Sequence, residues 1–315
     1  MILLWGIPGD DPLDQVWAAV RQLRADAVLL DQRRVRSADV SVGRDGTVCG
    51  RVKSLDGTVE LDHVGGAYIR PQQSLAERAK DDALLVAWAD LVPVTVLNRP
   101  AAMAANNSKP YQLAVLAALG FDVPDTLVTT DVGEALRFRE RLGRVIYKSV
   151  SGVRSIVSEL RDVQLARLTD VASGPTQFQE YVPGEDVRVH VVGDEVYATA
   201  VRSAADDYRY ASRTGTSLEV AATDLPRAVA QRCRAAAIAM HLPLVGIDLR
   251  RTPDGRWVCF EANPSPGFTF YEHATGQPIA EAIARLLQRA AADQTAPGRG
   301  QEQGGSSECP GSRTA

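Results

Sequence analysis

The segment from Val245 to Pro264 holds residues whose types and spacing could carry a cation. Two apolar runs flank Asp254-Gly255, a pair that favours a two-residue hairpin loop. With that loop Asp248 falls directly opposite Glu261. Asn263 shares the face of Glu261, because side chains on a strand repeat every two residues. Two opposed carboxylates repel each other unless a cation lies between them. An all-oxygen set without His or Cys suits Mg2+ bridging to phosphates. The loop that follows, Asn263-Pro264-Ser265-Pro266-Gly267, is rigid by composition and sits beside the acids.

Other residues suit the phosphates such a cation would bridge. Lys148 ends the apolar run Val145-Ile146-Tyr147, and the small-residue turn Ser149 to Val153 offers backbone amides to anionic oxygens. Lys109 lies at the start of a helix, where the dipole also favours anions. Gln179-Glu180-Tyr181-Val182 reads as a strand entering a Pro183-Gly184 turn, with Glu185 and Asp186 beyond it. Backbone groups from Glu180 to Val182 could read an adenine edge, and an acid past the turn could accept from ribose hydroxyls. Arg188, Arg202, Arg209 and Arg213 could supply fixed guanidiniums for phosphoryl oxygens. Each feature alone is no better than an ordinary hairpin or surface charge.

The elements that must position these groups follow from periodicity. Ile2 to Trp5, a helical pattern through Val16, Val20 and Leu23, and Ala27 to Leu30 make a β-α-β opening. It contains neither GxGxxG nor a Walker loop. Short strands over 40–62, a strand at 66–70, a helix near 75–91 and a strand at 94–97 close a first unit at 98. A helix from Ser108 to Gly120, a strand over 121–126, a helix over 133–142 and strands at 145–149 and 156–159 follow. From Thr176 the pattern is strongly β, over 177–182, 186–192 and 195–202. A helix over 225–241, the acidic hairpin and a helix over 279–291 complete it. The reading is an α/β (α+β) protein with domains at 1–98, 99–175 and 176–292, and a disordered Gly/Gln/Ser/Pro-rich tail at 293–315.

The chain has 315 residues and a formal charge of −4, without a dense Lys/Arg run, so it predicts no nucleic-acid and no membrane partner. Its four cysteines are widely spaced, and its four histidines form no ligand pattern. Zinc and a disulfide framework are therefore not expected, and a reducing cytoplasmic location is. Of 35 basic residues only Lys53, Lys80, Lys109 and Lys148 are lysine, so a retained lysine is a candidate for work that needs a compact ammonium.

In order along the chain, Lys109, Val145-Ile146-Tyr147-Lys148, Gln179 to Val182, Glu185 to Arg188, Val245 to Asp248 and Glu261 to Gly267 resemble the ATP-grasp superfamily, specifically its RimK-like carboxylate–amine ligases. The resemblance covers roughly residues 98 to 290. It implies an ATP-grasp fold, with an N-terminal α/β domain and two α+β subdomains clamping a nucleotide. It places Lys109 and Lys148 on the phosphates of ATP, Gln179, Glu180, Tyr181 and Val182 along the adenine, and Asp186 on the ribose. Asp248, Glu261 and Asn263 become ligands of Mg2+, with Mn2+ as a second candidate. Arg202 and Arg209 take the positions of the phosphate and acyl-phosphate arginines. Where RimK-like enzymes tend to carry Asn, two residues after Arg209, this chain has Ala211.

The implied chemistry is activation of a carboxylate as an acyl phosphate and its capture by an amine, on an amino-acid or peptide substrate. Alternatives are a maturase closing side-chain lactams or lactones in a ribosomally made peptide, and a non-catalytic ATP-binding sensor. A homo-oligomer is a candidate assembly.

Overall fold

The computed structural model describes residues 1–72, 79–104, 108–149, 158–165, 168, 171, 174–203 and 218–295. They divide into two compact units, Met1–Ala102 with the segment from Pro278, and Met103–Gln277.

The first unit opens with β1 (Ile2–Gly6), α1 (Asp11–Gln22) and β2 (Ala27–Asp31), continues through β3 (Val35–Val42), β4 (Val48–Ser54) and β5 (Gly57–Glu60), and reaches β6 (Gly66–Arg70), α2 (Ala79–Leu91) and β7 (Thr95–Leu97). Strands β2, β1, β6 and β7 form a parallel sheet in that order, and β3 to β5 an antiparallel one. Parallel strands are covered on both faces, which is why Ile2–Trp5 is apolar throughout. Asp10 caps α1 by accepting from the Leu13 N–H, and Leu13, Val16 and Val20 bury one face of that helix. Leu3, Trp5, Trp88, Val52 and Val59 share one core, so the small sheet folds with the parallel one. Cys233 and Cys259 are buried and free.

After α3 (Pro100–Met103) the second unit carries α4 (Lys109–Ala118), β8 (Thr126–Thr129), α5 (Val132–Leu142), β9 (Val145–Ser149), β10 (Ser158–Glu159), α6 (Asp162–Leu165) and β11 (Thr176–Glu180). Strands β10, β9, β11 and β8 pair antiparallel in that order. Tyr147, Phe178 and Val145 on one face meet Ala135 and Phe138 of α5. Strand β11 thus pairs within this smaller sheet, although the expected boundary at 175/176 would assign it to the following domain. The expected strand over 121–126 is instead an irregular stretch with a single bridge from Asp122 to Val258. Pro124 has no N–H to give to a ladder there.

The larger sheet is antiparallel, in the order β14 (Leu218–Ala222), β13 (Glu195–Ser203), β12 (Glu185–Val192), β15 (Leu244–Arg251), β16 (Trp257–Asn263). Alternation gives it two unlike faces. Val187, Val189, Val191, Ile247 and Leu249 are buried on one, with α7 (Arg227–Ala239) against those strands. Arg188, His190, Asp248, Glu261 and Asn263 lie on the other, beside α8 (Thr269–Thr275). Strand β14 and helix α8 escape sequence reading, since neither carries a clear apolar period.

The last helix, α9 (Ile279–Thr295), corrects the expected domain plan, because it joins the first unit instead of completing a 176–292 domain. It packs on α1, β1 and β6. The approach is so close that a Cβ at Gly65 would lie 2.7 Å from the Ala291 Cα. The helix runs into the expected tail as far as Thr295, and the remainder of that tail lies outside the described residues. No helix among the described residues is long and apolar enough to cross a membrane.

Candidate functional site

Asp248 and Glu261 are direct cross-strand partners, but not by way of a two-residue loop. The Thr252 N–H bonds to the Arg256 carbonyl at 3.0 Å, leaving a three-residue loop with Gly255 at φ +87°. That loop pairs Arg251 with Trp257 and Leu249 with Cys259, one residue out of the expected register. A bulge after Asp248 restores it, so that Glu261 emerges beside Asp248 while Cys259 stays on the apolar face.

A cation holds each acid. Arg188, opposite Asp248 on β12 and 8% exposed, places Nη1 2.5 Å from Asp248 Oδ1. Its Nε–H donates to His190 Nε2 at 3.4 Å. Complete burial, reinforced by the guanidinium beside it, holds the His190 pKa well below its ordinary value, so the neutral ring is an acceptor. The guanidinium lies across Gly246, where a Cβ would sit 2.3 Å from Nη2. Asn263 donates from Nδ2 to Asp248 Oδ2 at 3.1 Å.

Lys109 lies 3.1 Å from Glu261, the two side chains being 12% and 19% exposed. Gln112, one helical turn on, explains that placement. Its buried amide donates to the Ala262 carbonyl at 2.7 Å and accepts from the Ala262 N–H at 3.0 Å, which fixes α4 against β16. Sequence reading missed Gln112, since a lone Gln in an apolar helix carries no motif. Gln112→Leu leaves two buried backbone groups unsatisfied and is expected to cost about 2–4 kcal/mol, read as a lowered denaturation midpoint.

On the smaller sheet, Lys148 is buried on the same face as Gln177 and Gln179. Gln179 Nε2 donates to Thr126 Oγ1 at 3.0 Å, while its Oε1 is buried without a partner. The Glu180 and Tyr181 N–H groups go to the carbonyls of Asp125 and Arg144, at 2.9 and 3.1 Å. The Glu180 carboxylate accepts from the Asp125 N–H, and the Tyr181 ring lies under the Arg144 guanidinium at 3.6 Å. Of the expected adenine-reading segment, the Val182 N–H is left as a donor with no hydrogen bond among the described residues. Asp186 is held by Arg250 at 2.7 Å, and Arg250 also donates to the Val182 carbonyl, so this second residue missed by sequence ties the turn to β15.

One expected group, Arg202, is not brought to the acids. Arg202 is 57% exposed and pairs with Glu185 at 2.5 Å and Glu219 at 3.3 Å. It neighbours Val201, the partner of Asp186, and alternation therefore turns it to the sheet face away from Asp248. Among the described residues, the guanidinium beside the acids is Arg188. Arg209, Arg213, Ala211 and the turn after Ser149 lie outside the described residues.

The donor chemistry fits the expected cofactors. Among the described residues no cluster of three His, Cys, Asp or Glu side chains forms. Asp248, Glu261 and Asn263 offer two carboxylates and an amide, oxygen donors of the kind that suit Mg2+. The orphaned Gln179 oxygen, the Val182 N–H and the buried Lys148 are groups a nucleotide would use.

Two antiparallel sheets with their helices, carrying these groups in one unit, are the parts of an ATP-grasp ligase. The chain belongs to the RimK-like ATP-grasp family, whose domain matches residues 106–287. A ribosomal protein bS6–L-glutamate ligase from Escherichia fergusonii is 31% identical over 205 residues, spanning 61% of this chain and 67% of that protein. The ATP-grasp ligase PsnB, solved with a phosphomimetic variant of its minimal precursor, Mg and ADP, aligns with a TM-score of 0.78 at 25% identity, over 92% of this chain and 98% of that one. The macrocyclase MdnC of Microcystis aeruginosa, solved with the precursor peptide MdnA, shares the fold at a TM-score of 0.75 and 21% identity, over 91% and 99% of the two chains. The protein is an ATP-dependent carboxylate–amine ligase.

Proposed function

We propose that the enzyme activates a carboxylate of an amino acid or peptide at the expense of ATP and joins it to an amine, with Asp248, Glu261 and Asn263 holding Mg2+. The observation that carries this is the opposed Asp248–Glu261 pair with Lys109 and Arg188 on one sheet face. A bound Mg2+ supplies charge neutralisation at the phosphates. Lys148 and Lys109 supply ammonium groups for phosphoryl oxygens, and Arg188 keeps Asp248 oriented. A substrate carboxylate oxygen bonds to the γ-phosphorus as the bond to the β–γ bridging oxygen breaks, releasing ADP. The amine nitrogen then bonds to the acyl carbon, phosphate leaves, and the amine proton passes to solvent. Positioning and charge, more than proton transfer, lower the barrier.

A second reading is closure of side-chain lactams or lactones in a peptide. It is favoured because PsnB, solved with a precursor, matches over 92% of this chain at 25% identity. ADP release measured across amino acids, dipeptides and peptides encoded beside the gene, with products weighed by mass spectrometry, separates the two. Addition of a residue supports linear ligation, and loss of one water per event supports ring closure. A phosphorylated product, with no amide or ester, would overturn both.

A further inference from the structure

Gln177 is fully buried, and neither its Nε2 nor its Oε1 has a hydrogen-bond partner among the described residues. Burying an amide without partners is unfavourable, so such a group calls for an explanation. Its place supplies one. Gln177 is the direct cross-strand partner of Lys148, and Gln179, whose Oε1 is also orphaned, lies two residues on along the same face. The opposite face of that sheet, with Tyr147 and Phe178, is the apolar one packed on α5. The polar face therefore carries a strip of unspent hydrogen-bonding capacity beside a buried lysine.

The inventory selects the ligand. A phosphate offers only acceptors and would leave the Gln177 oxygen unsatisfied. The N7/N6 edge of adenine offers one acceptor and one donor, matching a side-chain amide with two bonds, whereas guanine offers acceptors at both positions. The Val182 N–H, a lone donor, suits a ring nitrogen on the other edge. We propose that Gln177 is a base-reading residue, its Nε2 donating to N7 and its Oε1 accepting from N6 of the adenine, so that it selects ATP over GTP. This deepens the nucleotide reading of the Lys148 face and rests on it.

Calorimetric titration of the full chain with ATP, GTP, 7-deaza-ATP and tripolyphosphate in Mg2+, for wild type, Gln177→Leu and the unbranched Gln177→Met, tests it. Without nucleotide, at least one variant should unfold at or above the wild-type temperature, because the orphaned amide is gone. ATP should bind these variants about tenfold more weakly, the worth of one to two hydrogen bonds. Wild type should lose about as much with 7-deaza-ATP, and the variants nothing further, the coupling that a direct contact requires. Tripolyphosphate binding should not change. Equal ATP affinity in wild type and variants overturns the proposal, as does equal weakening of ATP and tripolyphosphate, or a lowered unfolding temperature in both variants. If wild type binds no ATP in Mg2+, the nucleotide reading falls and takes this inference with it.

Discussion

Glu261→Gln is expected to lower magnesium-dependent ADP release by about a hundredfold or more, the equivalent of roughly 3 kcal/mol of lost charge stabilisation, with little change in the unfolding temperature. The substitution keeps the volume of the side chain and an oxygen for Lys109, 3.1 Å away. It removes one of the two charges that face each other across β15 and β16. Two effects on stability oppose each other. A partly buried ion pair is lost, which costs about 0–1 kcal/mol by the measure of such pairs near a surface, and the repulsion between Glu261 and Asp248 is relieved. ADP release measured against magnesium concentration, beside thermal unfolding, separates the two consequences. Turnover equal to wild type at every magnesium level would remove Glu261 from the metal set.

Gly246→Ala acts through a neighbour. The added Cβ would lie 2.3 Å from Arg188 Nη2, 2.7 Å from its Cζ and 2.8 Å from the Pro266 Cβ. The guanidinium has no easy retreat, because Asp248 holds one edge and His190 accepts from its Nε–H. Overpacking of this kind costs about 1–3 kcal/mol. It also pushes Arg188 off Asp248, so ADP release should fall further than the loss of folded protein explains. Adding Arg188→Leu to Gly246→Ala should recover stability but not activity, since it removes the clash together with the cation. Independent, additive losses in the double variant would show that Arg188 does not set the requirement for glycine.

The candidate site was legible where chemistry and parity coincide. Asp248, Glu261 and Asn263 stand out because acids and an amide interrupt an apolar hairpin, and their shared face follows from alternation. The pairing of Asp248 with Glu261 came out correctly although the loop did not, because the extra loop residue and the bulge cancel. Neither has a strong local signal. Lys148 was legible as the end of an apolar strand, but not the buried Gln177 opposite it, because an isolated Gln reads as solvated surface. Gln112 and Arg250 act across long sequence separations, on Ala262 and Val182, and no local pattern announces such partners. Arg202 shows the converse. The resemblance implied a phosphate-binding role for it, yet strand parity turns it toward Glu185.

The α/β character, the parallel opening and the β-rich second half were likewise readable from periodicity. The assignment of α9 was not, since amphipathic character says that a helix packs without saying on what. Its docking on α1, β1 and β6 has a consequence for synthesis. Met1–Ala102 is made ahead of Met103–Gln277, but that unit lacks the helix Ile279–Thr295 until both have been made. Met103–Gln277 is by then complete and can fold while Met1–Ala102 still waits. A nonsense codon just after Gln277 would therefore strike a unit made ahead of Met103–Gln277.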